Sequence, residues 1–285
     1  MPSFDTPHPI DLAVELSYGR LEVVASDRRD TVVTVSPTNP SSAADRRGAE
    51  QTRVDFSGQR LVVEGARPRF TIIGPSESID VRVEIPSGSR LTADIGGRVT
   101  TSGRLGATRV KGALGGVVID TTGDLWVRSG HGGLEVVAAE GSAELTADHG
   151  PIRIGSIGGD AILKSSHGSV DVGDSHGDLE AKLSYGELAI TRALGGVSAK
   201  TAYGSIRIGE VSSGSIQVES GYGQIDIGVA AGVTVWLDAA SREGRVRNEL
   251  DSDAPPVADE DSVAVRARTT FGDITLTRSR KGKNS

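Results

Sequence analysis

Between Val117 and Ile227 the apolar residues fall in pairs two positions apart, and the pairs return at steps of eight to ten residues, nearly always nine. They read Val117/Ile119, Leu125/Val127, Leu134/Val136, Ala143/Leu145, Ile152/Ile154, Ala161/Leu163 and Val170/Val172, then Leu179/Ala181, Leu188/Ile190, Val197/Ala199, Ile206/Ile208, Ile216/Val218 and Ile225/Ile227. The residue inside each pair is mostly polar, as at Glu135, Arg153, Asp171, Glu180, Arg207, Gln217 and Asp226. Alternation with period two and enrichment in β-branched residues predict short strands with one buried face. A glycine stands two positions before each pair from Gly123 to Gly204, and Gly97, Gly106, Gly115, Gly214, Gly223 and Gly232 extend the series with small slips of phase. The unit is Gly-x-φ-x-φ, where φ is apolar, and each glycine marks a corner.

A second rhythm lies over the first. His131, His149, His167, Tyr185, Tyr203 and Tyr222 each precede an alternate glycine, eighteen residues apart except at the last step. The repeating coil is therefore two nonapeptides long. A nonapeptide cannot close a core alone, whereas stacked ones can, which is the mark of a solenoid. The prediction is an all-β chain, a parallel β-solenoid with two strands per coil, wound right-handed by the crossover rule.

Two other repeat classes fail on spacing. Left-handed hexapeptide helices place an apolar residue every six positions, and here the pairs recur every nine. Calcium-binding β-rolls need a carboxylate in every turn. Asp124, Asp160 and Asp178 follow glycines, but Gly133, Ser142, Ser169, Glu187, Gly196 and Ser205 hold the equivalent places, so no calcium ladder is encoded.

Residues 1–92 read as a β-rich N-terminal cap continuous with the solenoid. Within them Leu12–Val24 carries a copy of the coil motif at Tyr18-Gly19, Thr31–Val35 alternates, and 37–49 reads as a polar loop. Thr52–Glu64 reads as a hairpin about Ser57-Gly58, and Ile79–Ile85 as a strand stopped by Pro86. The solenoid proper covers 93–237. A C-terminal cap covers 238–277 with an acidic loop at 251–261, and 278–285 is a basic, disordered tail. Caps are expected because an uncovered solenoid end is an aggregating edge.

Composition narrows the partners. A net charge of -7 weighs against nucleic acid and anionic membrane. The absence of cysteine excludes disulfides and thiolate chemistry. The opening Met1-Pro2-Ser3-Phe4-Asp5 has neither a basic nor an apolar export region, and no apolar run reaches the length of a membrane span, so the expected compartment is the cytoplasm.

Three stretches carry a family likeness. Ile79–Gly88 (IDVRVEIPSG), the nonapeptides of G-D-L and G-S-I type, and Val265–Leu276 (VRARTTFGDITL) together resemble the bacterial β-strand-repeat family called domain of unknown function 4097, whose members are labelled candidate adhesins. The opening Pro2–Asp5 and the stretch Arg242–Leu250 (REGRVRNEL) are similar to its soluble actinobacterial members. The resemblance spans nearly the whole chain. It implies the solenoid fold and carries no established activity.

For chemistry the first candidates are His131, His149 and His167, which the coil spacing stacks at one corner about 5 Å apart. Imidazoles so placed could share a transition metal. Aromatic stacking accounts for the same three positions and also for Tyr185, Tyr203 and Tyr222, so no metal or other cofactor is assigned. His8 and His176 read as surface residues. Arg153, Asp171, Arg207 and Asp226 share an outward slot and form a mixed charged line, a second candidate surface. Arg98, Arg104, Arg109 and Lys111 form a basic cluster on the first coils. No nucleophile elbow, phosphate loop or zinc-protease motif occurs, and the chain is read as a non-enzyme.

Three functional classes follow. The preferred one is a non-catalytic cytoplasmic scaffold or protein-interaction rod, a monomer or small oligomer whose partner is a protein. The second is a carbohydrate, small-ligand or metal-binding module that uses the His/Tyr corner. The third is a self-assembling structural element.

Overall fold

The computed structural model describes residues 2–66, 77–112, 114–250 and 262–279. The acidic stretch 251–261 and the tail from 280 onward lie outside the described residues. Contacts divide the chain into two units, residues 1–141 with 145–147, and residues 142–144 with 148–285.

The first unit holds β1 (Ser3–Asp5), β2 (Asp11–Leu16), β3 (Gly19–Ser26), β4 (Asp30–Pro37), α1 (Ala43–Gln51), β5 (Arg53–Ser57), β6 (Arg60–Glu64) and β7 (Ile79–Pro86). It continues with β8 (Arg90–Ile95), β9 (Arg98–Ser102), β10 (Thr108–Gly112), β11 (Val117–Thr122), β12 (Leu125–His131) and β13 (Leu134–Ala139). One of its sheets runs β1-β4-β7-β3-β9-β11-β13 and the other β12-β10-β8-β2-β6-β5. Pairing is parallel except in β1–β4, β4–β7 and the β5–β6 hairpin. Strands β2 and β3 are a full coil, as the Tyr18-Gly19 copy of the motif predicts. The antiparallel strands turn the sheets back, and Phe4 of β1 meets Phe56 of β5 with ring centroids 5.0 Å apart.

Where a polar loop is expected at 37–49, part of the segment is helix α1. Ser42 caps it, its hydroxyl accepting from the Asp45 N–H at 3.2 Å. The Asp45 carboxylate is buried and accepts from the N–H groups of Asn39 and Ser78, which ties the helix to the start of β7.

The second unit holds most of β14 (Ala143–His149), whose residues 145–147 belong to the first, and then β15 (Ile152–Ile157), β16 (Ala161–His167), β17 (Val170–Ser175), β18 (Leu179–Tyr185), β19 (Leu188–Ala193) and β20 (Val197–Tyr203). It ends with β21 (Ile206–Val211), β22 (Gly214–Tyr222), β23 (Ile225–Val229), β24 (Thr234–Glu243), β25 (Val246–Glu249), β26 (Ser262–Phe271) and β27 (Ile274–Arg278). Its sheets run β15-β17-β19-β21-β23-β27-β25 and β24-β26-β22-β20-β18-β16, parallel throughout. The protein is a parallel β-solenoid.

Register follows the repeat. Ile152, Val170, Leu188, Ile206, Ile225 and Ile274 stack in one inward row, and each is fully buried. Each such aliphatic side chain contributes about 1.5–3 kcal/mol. The closing stretch departs from chain order, because β26 and β27 sit between β22/β23 and β24/β25. Val263, Val265 and Ala267 continue the core as well as the coil before them does, so the last strands in sequence are not the last in space.

Candidate functional site

The corners after His149, His167, Tyr185, Tyr203 and Phe271 are built the same way. A strand ends on a ring, a glycine at positive φ turns the chain, and the next strand begins. Gly186 has φ +150°, and a Cβ there would lie 2.1 Å from the carbonyl oxygen of Gly168 on the neighbouring coil. Only glycine lets coils approach so closely. Inside the corner a buried hydroxyl satisfies a glycine carbonyl. Ser165 donates to Gly168 at 3.1 Å, Ser220 to Gly204 at 3.0 Å and Thr269 to Gly223 at 3.0 Å.

On the outside the rings form a ladder. Centroids are 5.0 Å apart for His149–His167, 5.2 Å for His167–Tyr185, 4.9 Å for Tyr185–Tyr203 and for Tyr203–Tyr222, and 4.7 Å for Tyr222–Phe271. Interplanar angles run from 3° to 8°. Phe271 is the sixth ring, invisible to a fixed spacing because it follows the irregular stretch after Gly232. Tyr185, Tyr203, Tyr222 and Phe271 are 43–51% exposed. His131 occupies the same sequence position at the end of β12, in the first unit.

Three positions before the rings from His167 to Phe271 runs a charged row. Lys164, Lys182 and Lys200 lie in register on β16, β18 and β20, and the row continues as Glu219 and Arg268. Lys182 pairs with Glu180 at 2.5 Å, and Lys200 with Glu219 at 2.9 Å. Between the charged row and the rings stand small residues, Ser166, Ser184, Ala202, Gly221 and Thr270. The result is an aromatic strip with a low shoulder and a charged rim.

The other charged candidates lie on the opposite sheet. Arg153 approaches Asp171 at 3.9 Å and Arg207 approaches Asp226 at 3.9 Å, with Ala189 between the two pairs in the same row. Exposed pairs at this distance contribute well under 1 kcal/mol each. Arg192 makes a closer contact to Asp174, with Nε at 2.8 Å from Oδ1, and this hydrogen bond holds the Asp174 carboxyl below its ordinary range against the opposing effect of burial. In the first unit three of the four residues of the basic cluster engage their own neighbours. Arg104 forks onto Glu140, Lys111 reaches Asp94 at 3.2 Å, and Arg109 lies 3.7 Å from the Trp126 ring centre.

Sequence reasoning missed the use of the aspartates that follow glycines. The Asp160 carboxylate accepts from the Asp178 N–H at 3.0 Å, and the Asp178 carboxylate from the Gly196 N–H at 2.8 Å. They link one coil to the next beside a shallow groove of about 500 Å³ that Ile162 and Glu180 also line. Among the described residues no three His, Cys, Asp or Glu side chains converge as a metal cluster, and no helix is long and apolar enough to cross a membrane.

No family model matches the sequence, and no curated protein does. Solved structures do resemble the fold. A candidate cell adhesion protein from Clostridium sporogenes is 9% identical, with 97% of this chain and 98% of that chain covered and a TM-score of 0.24. A candidate adhesin from Bacteroides fragilis is 10% identical, with 96% and 95% covered and a TM-score of 0.37. Another from Parabacteroides merdae is 9% identical, with 97% and 96% covered and a TM-score of 0.31.

Proposed function

We propose that this protein is a non-catalytic cytoplasmic scaffold that docks other proteins along the aromatic corner of its second unit. The observation that carries the reading is the exposed ladder from His167 to Phe271, in register with a lysine row. A contiguous aromatic strip rimmed by charge is the composition of a protein interface, in which tyrosine supplies contact area at small entropic cost. The rings hold each other in place, so little freedom remains to be lost on binding.

The same geometry argues against the other uses of the corner. A sugar packs on an open aromatic face, and here each inner face is covered by a neighbour at 4.7–5.2 Å. The imidazoles of His149 and His167 are parallel within 5°, so their in-plane lone pairs do not converge. A shared zinc would need both nitrogens at about 2.0–2.1 Å. The lysine row suits a partner segment that mixes apolar and acidic residues.

A photo-crosslinking residue placed at Tyr203 is expected to capture a defined protein partner, and one placed at Arg207 on the opposite sheet is not. With the crosslinker kept at 203, Tyr185→Ser with Tyr222→Ser should weaken that capture about tenfold or more while the β circular dichroism stays intact. Undiminished capture by the double variant, or equal capture from position 207, contradicts the proposal.

A further inference from the structure

The sheets of the second unit end at β24 and β25, and among the described residues no strand pairs with the outer edge of either. Both stand where the core would continue. Val235, Leu237 and Ala239 lie in register with Val263, Val265 and Ala267, and Val246 and Asn248 with Ile274 and Leu276. The partners on β26 and β27 are buried, whereas Val246 is 42% exposed and every residue of β25 faces solvent. Trp236, on the outer face of β24, is 70% exposed. A ten-residue edge strand of this composition is a template for further pairing. The terminal strands of the first unit differ. β1 and β5 have three and five residues, pair antiparallel and are bridged by Phe4 against Phe56.

We infer that a second copy of this chain covers the β24/β25 edge, in a two-fold dimer that runs β24 against β24 and β25 against β25, antiparallel. The backbone sets the choice of register. The Arg245 carbonyl accepts from the Ile274 N–H at 2.9 Å. In a parallel ladder alternate residues of a strand turn to the same neighbour. Arg247 and Glu249 therefore face β27, and Val246 and Asn248 turn their N–H and C=O groups to the open edge; the strand stops at Leu250, whose N–H donates to the Asn248 Oδ1 at 3.1 Å. Two such edges pair only outward residue to outward residue, so the dyad passes through a residue and not between two.

Charge then selects the residue. Centring on Asn248 sets Arg247, which also reaches Asp273 of its own chain at 3.1 Å, opposite Glu249 of the second copy, twice. Centring on Arg247 would set like charges face to face. In β24, Ala239 lies about as far before the Glu243–Gly244–Arg245 corner as Asn248 lies after it. A dyad through Ala239 places Trp236 opposite Arg242, a cation–π pairing. One axis thus satisfies both strands. A self-complementary edge closes on itself as a pair and does not propagate a filament.

Sedimentation velocity of the full chain tests this. The expected mass is twice 29.5 kDa. Arg247→Glu alone and Glu249→Arg alone should each give monomers with unchanged circular dichroism, and the double exchange should restore the dimer. Trp236→Glu, at an exposed position away from the core slots, should also weaken it. A monomeric parent, whether its edge is protected from hydrogen exchange by the chain's own 251–261 or left open, overturns the inference. So does an open-ended polymer, or a dimer indifferent to the single exchanges.

Discussion

At the scale of single residues the corner depends on three positions with separate duties: a glycine that turns, a hydroxyl that closes the inside, and a ring that stacks outside. Gly186 shows how little tolerance there is. Substituting alanine forces a side chain into φ +150° and drives its Cβ to 2.1 Å from the Gly168 carbonyl oxygen. The backbone conformation alone costs about 1–3 kcal/mol, and the contact adds to it. Gly186→Ala should therefore lower the urea midpoint clearly, and an unchanged midpoint would mean that the corner relaxes. The glycines, histidines and tyrosines were legible in the sequence because each recurs at a fixed step. Ser165, Ser220 and Thr269 were not, since an inward hydroxyl looks like any polar residue until its carbonyl partner is known. The Asp160 and Asp178 links escaped for the same reason.

At the scale of elements, strands announce themselves through inward Val, Ile and Leu at every second position, and their outward faces are zipped by charge. The carboxyls of Asp174, Glu180 and Asp238 are held below their ordinary range first of all by hydrogen bonds from Arg192, Lys182 and Arg268. A carboxyl depressed in the fold stabilises it above the unfolded value of about 4 and loses that contribution as the pH falls through the folded value. The urea midpoint should accordingly be lower at pH 3 than at pH 7, and the difference should shrink in high salt because these pairs are exposed. Equal midpoints at the two pH values would show that the charged rows add nothing. Helix α1 was not legible from periodicity, because AADRRGAEQ has no apolar stripe; its signal was local, in Ser42 three residues before Asp45.

At the scale of the whole molecule, the repeat dictates stacking but not the order of the last coils. Gly244-Arg245-Val246 and Gly272-Asp273-Ile274 carry the same motif, and nothing local says which lies against β23. Packing decides it, for Val263, Val265, Ile274 and Leu276 fill their slots fully and Val246 does not. This order is what brings Phe271 onto Tyr222 and lengthens the aromatic strip, so the docking surface itself rests on it. A chain without cysteine allows a direct test. In-register neighbours sit about 4.8 Å apart, within the Cα range of about 4.4–6.8 Å that a disulfide spans. Tyr222→Cys with Phe271→Cys should therefore oxidise readily to an intramolecular disulfide. Tyr222→Cys with Glu243→Cys, two strands apart, should keep both thiols free. A disulfide in the second pair and none in the first would contradict both the coil order and the continuous ladder built on it.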